Sequence, residues 1–146
     1  MYYSNHNLQD EAQVEMTKRV SRGFWSRLLG FADNSLCSFE CAYSNLNENS
    51  RVDDGIQTIN INQIVGTVSR ESGFDSRFHP TKSVSQQRWI RIYMGYLRGD
   101  AIPPIEVYQL GDEYFVIDGH HRVSVARAIG KEMIEAHVIT VGHSYE

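Results

Sequence analysis

Tyr114-Phe115-Val116-Ile117-Asp118-Gly119-His120-His121-Arg122-Val123-Ser124-Val125-Ala126-Arg127-Ala128-Ile129-Gly130 reads as a strand running into a helix through a polar corner. Tyr114 to Ile117 has the aromatic and β-branched composition of a buried strand. Asp118 and Gly119 break that run, and Asp118 is a residue type that caps helix N-termini. From His120 onward Val123, Ala126 and Ile129 recur at helical intervals, and Gly130 supplies the stop. The corner thus sets two imidazoles and a guanidinium on the first turn of a helix, where backbone N–H groups lack intrahelical partners. That pattern suits an anion, with Arg122 able to grip a phosphate through two donors and Gly119 letting a ligand approach the backbone. It equally suits solvated polar residues at an ordinary helix start, and the residues alone leave both readings open.

Outward from the corner, Ile105–Leu110 and Glu113–Ile117 form a hairpin around the two-residue turn Gly111-Asp112, entered through Ala101-Ile-Pro-Pro-Ile. A helix beginning at Ser83 or Ser85 runs to Arg98, its stripe of Trp89, Ile92, Tyr93, Tyr96 and Leu97 facing the core, and Gly99 ends it. Residues 66–80 read as an irregular loop that carries Arg70, Glu71, Phe74, Asp75 and Arg77. Gln57–Val65 begins as an alternating, half-buried strand with Ile59 and Ile61 on one face, and Ile64-Val65 is expected to turn into the loop. Asn45 to Gly55 reads as a loop, with a short helix expected at Ser38–Leu46. Asp10 to Phe31 is expected to be helical, its face made by Val14, Val20, Phe24, Leu28 and Leu29. Lys18, Arg19, Arg22 and Arg27 make it the most basic stretch, which reads first as a solvated face. Met133–Val141 is the last strand, and residues 1–8 read as a frayed tail. Helix, strand, loop, helix, hairpin, helix, strand is the order of a mixed α+β domain. We divide the chain into a helical extension and loop at 1–55 and a domain at 56–146.

The 146 residues, 41% of them hydrophobic and 22% charged, describe a globular protein with a real core. A formal charge of −4 argues against a free-standing nucleic-acid binder. No apolar run approaches a membrane span and the N-terminus lacks a signal-peptide pattern, so a cytoplasmic location without membrane partners is expected. Cys37 and Cys41 have no second pair to complete a zinc site, and no metal site is expected.

Between Ile59 and Val141 the chain resembles the ParB/sulfiredoxin-like superfamily. The likeness rests on the strand from Ile59, the loop with Arg70 and Phe74, Pro103-Pro104-Ile-Glu-Val, the Gly-Asp hairpin and Asp118-Gly-His-His-Arg122. Ile64-Val-Gly-Thr-Val-Ser-Arg70, Phe74-Asp75 and Ser38-Phe39-Glu40 further resemble a group of small bacterial ParB-like domain proteins. The corner is similar to Gly-Glu-Arg-Arg of the CTP site in ParB proteins and to Gly-Cys-His-Arg of sulfiredoxins. Free-serine kinases of this fold carry Asp-Gly-His-His-Arg itself.

The resemblance implies a small mixed sheet with packed helices and a bound nucleotide of CTP or ATP type, a nucleoside di- or triphosphate with Mg²⁺. Gly119, His121 and Arg122 would contact phosphate, Asp118 would cap the helix or orient His120, and Arg70 would close over the phosphates. His120 stands where sulfiredoxins have their cysteine, so thiolate chemistry is set aside. The kinase alternative adds a serine-like small-molecule substrate and makes Glu71 the base. A DNA-associated or nuclease-like module using the basic helix is the third reading. No helix-turn-helix follows the last strand, which argues against sequence-specific DNA binding by this chain. Homo-oligomerisation is compatible with all three.

Overall fold

The computed structural model describes residues 5–29, 37–38, 51–68 and 73–142. Among the described residues three helices, α1 (Asn5–Leu28), α2 (Gln86–Arg98) and α3 (His120–Ile129), accompany six strands. These are β1 (Cys37–Ser38), β2 (Arg51–Asn60), β3 (Ile64–Thr67), β4 (Ile105–Leu110), β5 (Glu113–Asp118) and β6 (Met133–Val141). The strands lie in the order β1-β3-β5-β4-β6-β2. β1, β3 and β5 run parallel in turn and β4 runs parallel to β6, while the β4–β5 hairpin and the β2–β6 pair are antiparallel. The domain is therefore α+β with a mixed sheet, as its sequence order implies.

Alternation decides which face of the sheet is covered. Ile105 and Val107 of β4 are buried around an exposed Glu106, and Ile134, Ala136 and Val138 of β6 are buried with exposed Glu135 between the first two. These side chains join Trp89 and Tyr93 of α2 and Val123, Val125 and Ala126 of α3 in one core. Ser85 caps α2 by accepting from the Arg88 N–H at 3.3 Å. The Trp89 indole donates to Ser124 Oγ at 3.0 Å, so the one polar atom of the largest buried ring is satisfied where α2 crosses α3.

The N-terminal helix buries a different face from the one expected. Leu8, Ala12 and Met16, spaced by four, are buried against α2, with Val20 packed at the margin. Val14, Phe24, Leu28 and Leu29 are exposed instead. The narrow Leu8–Ala12–Met16 stripe wins because Ala12, at 0% exposure, lets the helix sit close. On that side burial holds the Tyr93 hydroxyl at about 12, reinforced by Glu11 and Glu15.

Three further assignments also differ. Residues 51–55, expected in a loop, begin β2: Arg51 pairs with Val141, and the register shifts between Asp53 and Ile56. The turn-forming Asp-Asp-Gly is absorbed as this irregularity, where Asp53 accepts from the Gly55 N–H at 2.8 Å and contacts His137 Nε2 at 2.7 Å, and Asp54 accepts from Thr140. The strand then ends at Asn60, whose side chain accepts from the Asn62 N–H at 2.8 Å and opens a single 3₁₀ turn at Ile61–Gln63. Ile64–Thr67, expected to lead into irregular chain, is β3, drawn into the sheet by parallel pairing with β5. Of the helix expected at Ser38–Leu46, Ser38 belongs to β1 and the rest lies outside the described residues.

Candidate functional site

The corner is built at the end of β5, where two independent constraints demand glycine. Gly119 has φ 110°, a left-handed conformation that L side chains rarely adopt. A Cβ there would also lie 2.5 Å from Ile105 Cγ2 and 3.3 Å from Arg122 Cζ. Gly119 is itself the N-cap of α3, and among the described residues no side chain caps the helix. Asp118, expected in that role, ends β5 instead, and its carboxylate, 71% exposed, accepts from Arg122 Nη2 at 2.9 Å. Gly119, not Asp118, takes the N-cap position, and the Asp118 carboxylate is occupied by Arg122. The first turn of α3 thus keeps its dipole and, among the described residues, lacks a side-chain acceptor.

The three consecutive basic-type residues divide, with both histidines against Phe74 and Arg122 on the Pro103–Pro104 carbonyls. His120 is 7% exposed, with Nε2 2.6 Å from Thr67 Oγ1 on β3 and its ring stacked at 6.3 Å from Phe74 and 6.5 Å from Phe78. His121 meets the Phe74 ring edge-on at 5.2 Å. Arg122 turns the other way, its Nη1 donating to the Pro103 carbonyl at 2.9 Å and to the Pro104 carbonyl at 2.7 Å. With the Asp118 bond, three of the five guanidinium N–H groups are committed among the described residues and two are left. Burial pushes the Tyr96 hydroxyl upward in pKa and Arg122 draws it partly back, which places that phenol near the guanidinium.

Hydrogen bonds to Asp75 tie together residues 75–79 of the loop beside the histidines. Asp75 is fully buried and accepts from the Arg77 N–H at 3.0 Å, the His79 N–H at 2.9 Å and His79 Nδ1 at 3.0 Å. Burial pushes its carboxyl up, but the side-chain and backbone hydrogen bonds of His79, its attraction and the Arg77 N–H together outweigh that and hold it below the ordinary carboxylate value. This knot lets Phe78 take φ 58° and bury completely between His120 and Arg127. Thr67, Phe74, Phe78 and the Asp75–His79 pair were missed as partners of the corner. The visible signal was the two phenylalanines bracketing an Asp-x-Arg in a segment otherwise polar.

Arg70 and Glu71, expected over the phosphates and as the base, lie outside the described residues. Among the described residues no three His, Cys, Asp or Glu side chains are grouped to hold a metal ion, and no helix is long and apolar enough to cross a membrane. A groove of about 820 Å³ runs between α1 and residues 81–86, lined by Met16, Val20, Phe24 and Val84 among others; it holds none of the corner residues.

Fold and corner together define an α+β domain whose strand-to-helix turn presents an uncapped helix start and a clamped arginine. No protein-family model matches the chain, and neither does any curated protein. Among solved structures it is similar to the sulfiredoxin of Arabidopsis thaliana, with a TM-score of 0.44 and 18% identity, over 57% of this chain and 82% of that one. At that identity the likeness carries nothing about chemistry.

Proposed function

We propose that the corner binds the phosphates of a nucleotide of CTP or ATP type. The observation that supports this reading is Arg122: three hydrogen bonds hold its guanidinium beside a helix start whose N-cap is glycine, and among the described residues two of its donors stay uncommitted. Such a group loses little freedom on gripping an oxyanion. Gly119 lets the phosphate reach the backbone, and the N–H groups of the first turn would contribute with the helix dipole. His121 would flank the phosphates, while His120, held against Thr67, would act by orienting the helix start. Mg²⁺ would enter on the nucleotide's own phosphates, which need few protein ligands.

Calorimetric titration with CTP, ATP and ADP plus Mg²⁺ tests the proposal. One of the three should bind, and Arg122→Ala should lose that binding. Asp118→Asn, which removes the competing carboxylate, should keep or tighten it. Unchanged affinity in Arg122→Ala, or no binding by any of the three, refutes the reading. Nucleoside diphosphate release that depends on an added amino acid would extend it to phosphoryl transfer.

A further inference from the structure

The solvent side of α1 carries a second pattern that the fold does not use. Val14, Thr17, Ser21, Phe24 and Leu28 recur at spacings of three and four, the spacing of a two-helix seam, and all five are exposed. Val14 is 53%, Phe24 55% and Leu28 63% exposed, whereas the Leu8–Ala12–Met16 stripe is buried against α2. Large apolar side chains held together in solvent mark an interaction surface. The Thr17 hydroxyl already donates to the Gln13 carbonyl at 2.9 Å, so covering that residue strands no donor. Thr17, Ser21 and Phe24 also line one wall of the groove of about 820 Å³, and Thr81, Lys82 and Val84 stand on the other.

Charge says what fits there. From Asn5 to Glu15 the helix carries Asp10, Glu11 and Glu15 and no lysine or arginine; from Met16 to Leu28 it carries Lys18, Arg19, Arg22 and Arg27 and no carboxylate. A helix divided in this way complements a copy of itself only when the copy runs antiparallel, because a parallel copy sets like charges side by side. The apolar pattern has the same symmetry. An antiparallel copy related by a two-fold axis level with Arg19 brings Val14 opposite Phe24 and Thr17 opposite Ser21, and it sets Glu15 level with Arg22 to within one residue. Among the described residues that line the groove none is acidic, and Lys82 adds a further cation for the acidic half of the copy.

We propose that α1 is a dimerisation helix: a second copy of this chain lays its own α1 antiparallel along the groove, the acidic half of each beside the basic half of the other. The interface is isologous, so every contact occurs twice. It is separate from the corner and stands whether or not a nucleotide binds there.

Sedimentation velocity of the full chain from about 1 μM to about 1 mM tests this. The wild type should pass reversibly from monomer to dimer across that range. Phe24→Glu should weaken the dimer by about 100-fold or more, because the residue enters the interface twice. Leu29→Glu, at 64% exposure but off the Val14–Leu28 stripe, should leave it intact. Glu15→Lys and Arg22→Glu should each weaken it about two- to fivefold, and an equimolar mixture of the two should recover it, since each then meets the opposite charge in the other. A chain that stays monomeric throughout, a dimer that survives Phe24→Glu, or one lost equally in Leu29→Glu overturns the proposal. So does a mixture no tighter than its components, which removes the antiparallel register. A monomer that binds vesicles of anionic lipid through Phe24 would give this face to a membrane surface and overturn it too.

Discussion

Replacing Gly119 with alanine tests the tightness of the corner with one added methyl group. At φ 110° an L residue is strained, and left-handed conformations cost about 1–2 kcal/mol. The new Cβ would also stand 2.5 Å from Ile105 Cγ2 and 2.9 Å from Ile105 Cβ. Ile105 has 0% exposure and sits in the middle of the core, so it has nowhere to move, and overpacking of this kind costs about 1–3 kcal/mol. The sum is about 2–5 kcal/mol, or a fall in Tm of roughly 5–15 °C for a domain of this size. Gly111→Ala is the control, since its φ of 58° carries backbone strain while nothing lies within 4 Å of a Cβ there. It should lose only about 1 kcal/mol. Urea unfolding of both variants measures the difference, which isolates the contact with Ile105. If Gly119→Ala loses no more than Gly111→Ala, β4 yields to the methyl group and the argument for a tight corner is wrong.

Other expectations follow from the same geometry. Thr67→Val leaves His120 Nε2 facing a methyl group and should cost about 1–3 kcal/mol in urea unfolding, whereas Thr67→Ser should restore most of it; equal losses in both would show that the hydroxyl contact is idle. Asp75 is held below its ordinary value in the folded state, so its contribution is complete above the unfolded carboxyl pKa near ~4 and fades as pH falls through the folded value. Asp75→Asn should therefore be less stable than wild type at pH 7 and should flatten the acid limb of a stability–pH curve; parallel curves would contradict the assignment. Ala12→Glu puts a charge at a fully buried position between α1 and α2 and should expose α1 to limited proteolysis while residues after 51 stay protected. Cleavage unchanged from wild type would mean that α1 does not dock through this stripe.

The hairpin, α2 and α3 were legible because each carries its own punctuation: Gly111-Asp112, Ser85 and Gly99, Gly119 and Gly130. The sheet edges were not. Arg51 to Gly55 has loop composition and becomes strand because β6, nine residues long, offers its far half as a partner, and an irregularity accommodates Asp53 and Asp54. No local pattern announces that pairing. Ile64–Thr67 is too short to show a period, and only its place beside β5 makes it a strand. The α1 face was misjudged for a related reason. Five large apolar residues drew the eye, yet the docking stripe needed a small residue, Ala12. At the corner the residue types were visible, while their directions depended on Phe74, Phe78 and the Pro103–Pro104 carbonyls, distant in sequence.

Those directions change what the motif means. Asp118-Gly-His-His-Arg122 looks like one cluster of cations at a helix start, but only part of it is open to a ligand. His120 is spent on Thr67 and two phenyl rings, and Arg122 ties β5, α3 and the Pro103–Pro104 segment together before any phosphate arrives. A guanidinium can do this and still offer two donors; an ammonium, with three donors in all and no plane, cannot serve three acceptors and a phosphate at once. Any loss of binding on replacing Arg122 therefore mixes a lost contact with a loosened turn. The two separate at Asp118, whose exposed carboxylate belongs to the clamp and repels the ligand. Asp118→Asn weakens the first and relieves the second, so tighter binding in that variant alongside lost binding in Arg122→Ala places the phosphate on the guanidinium itself.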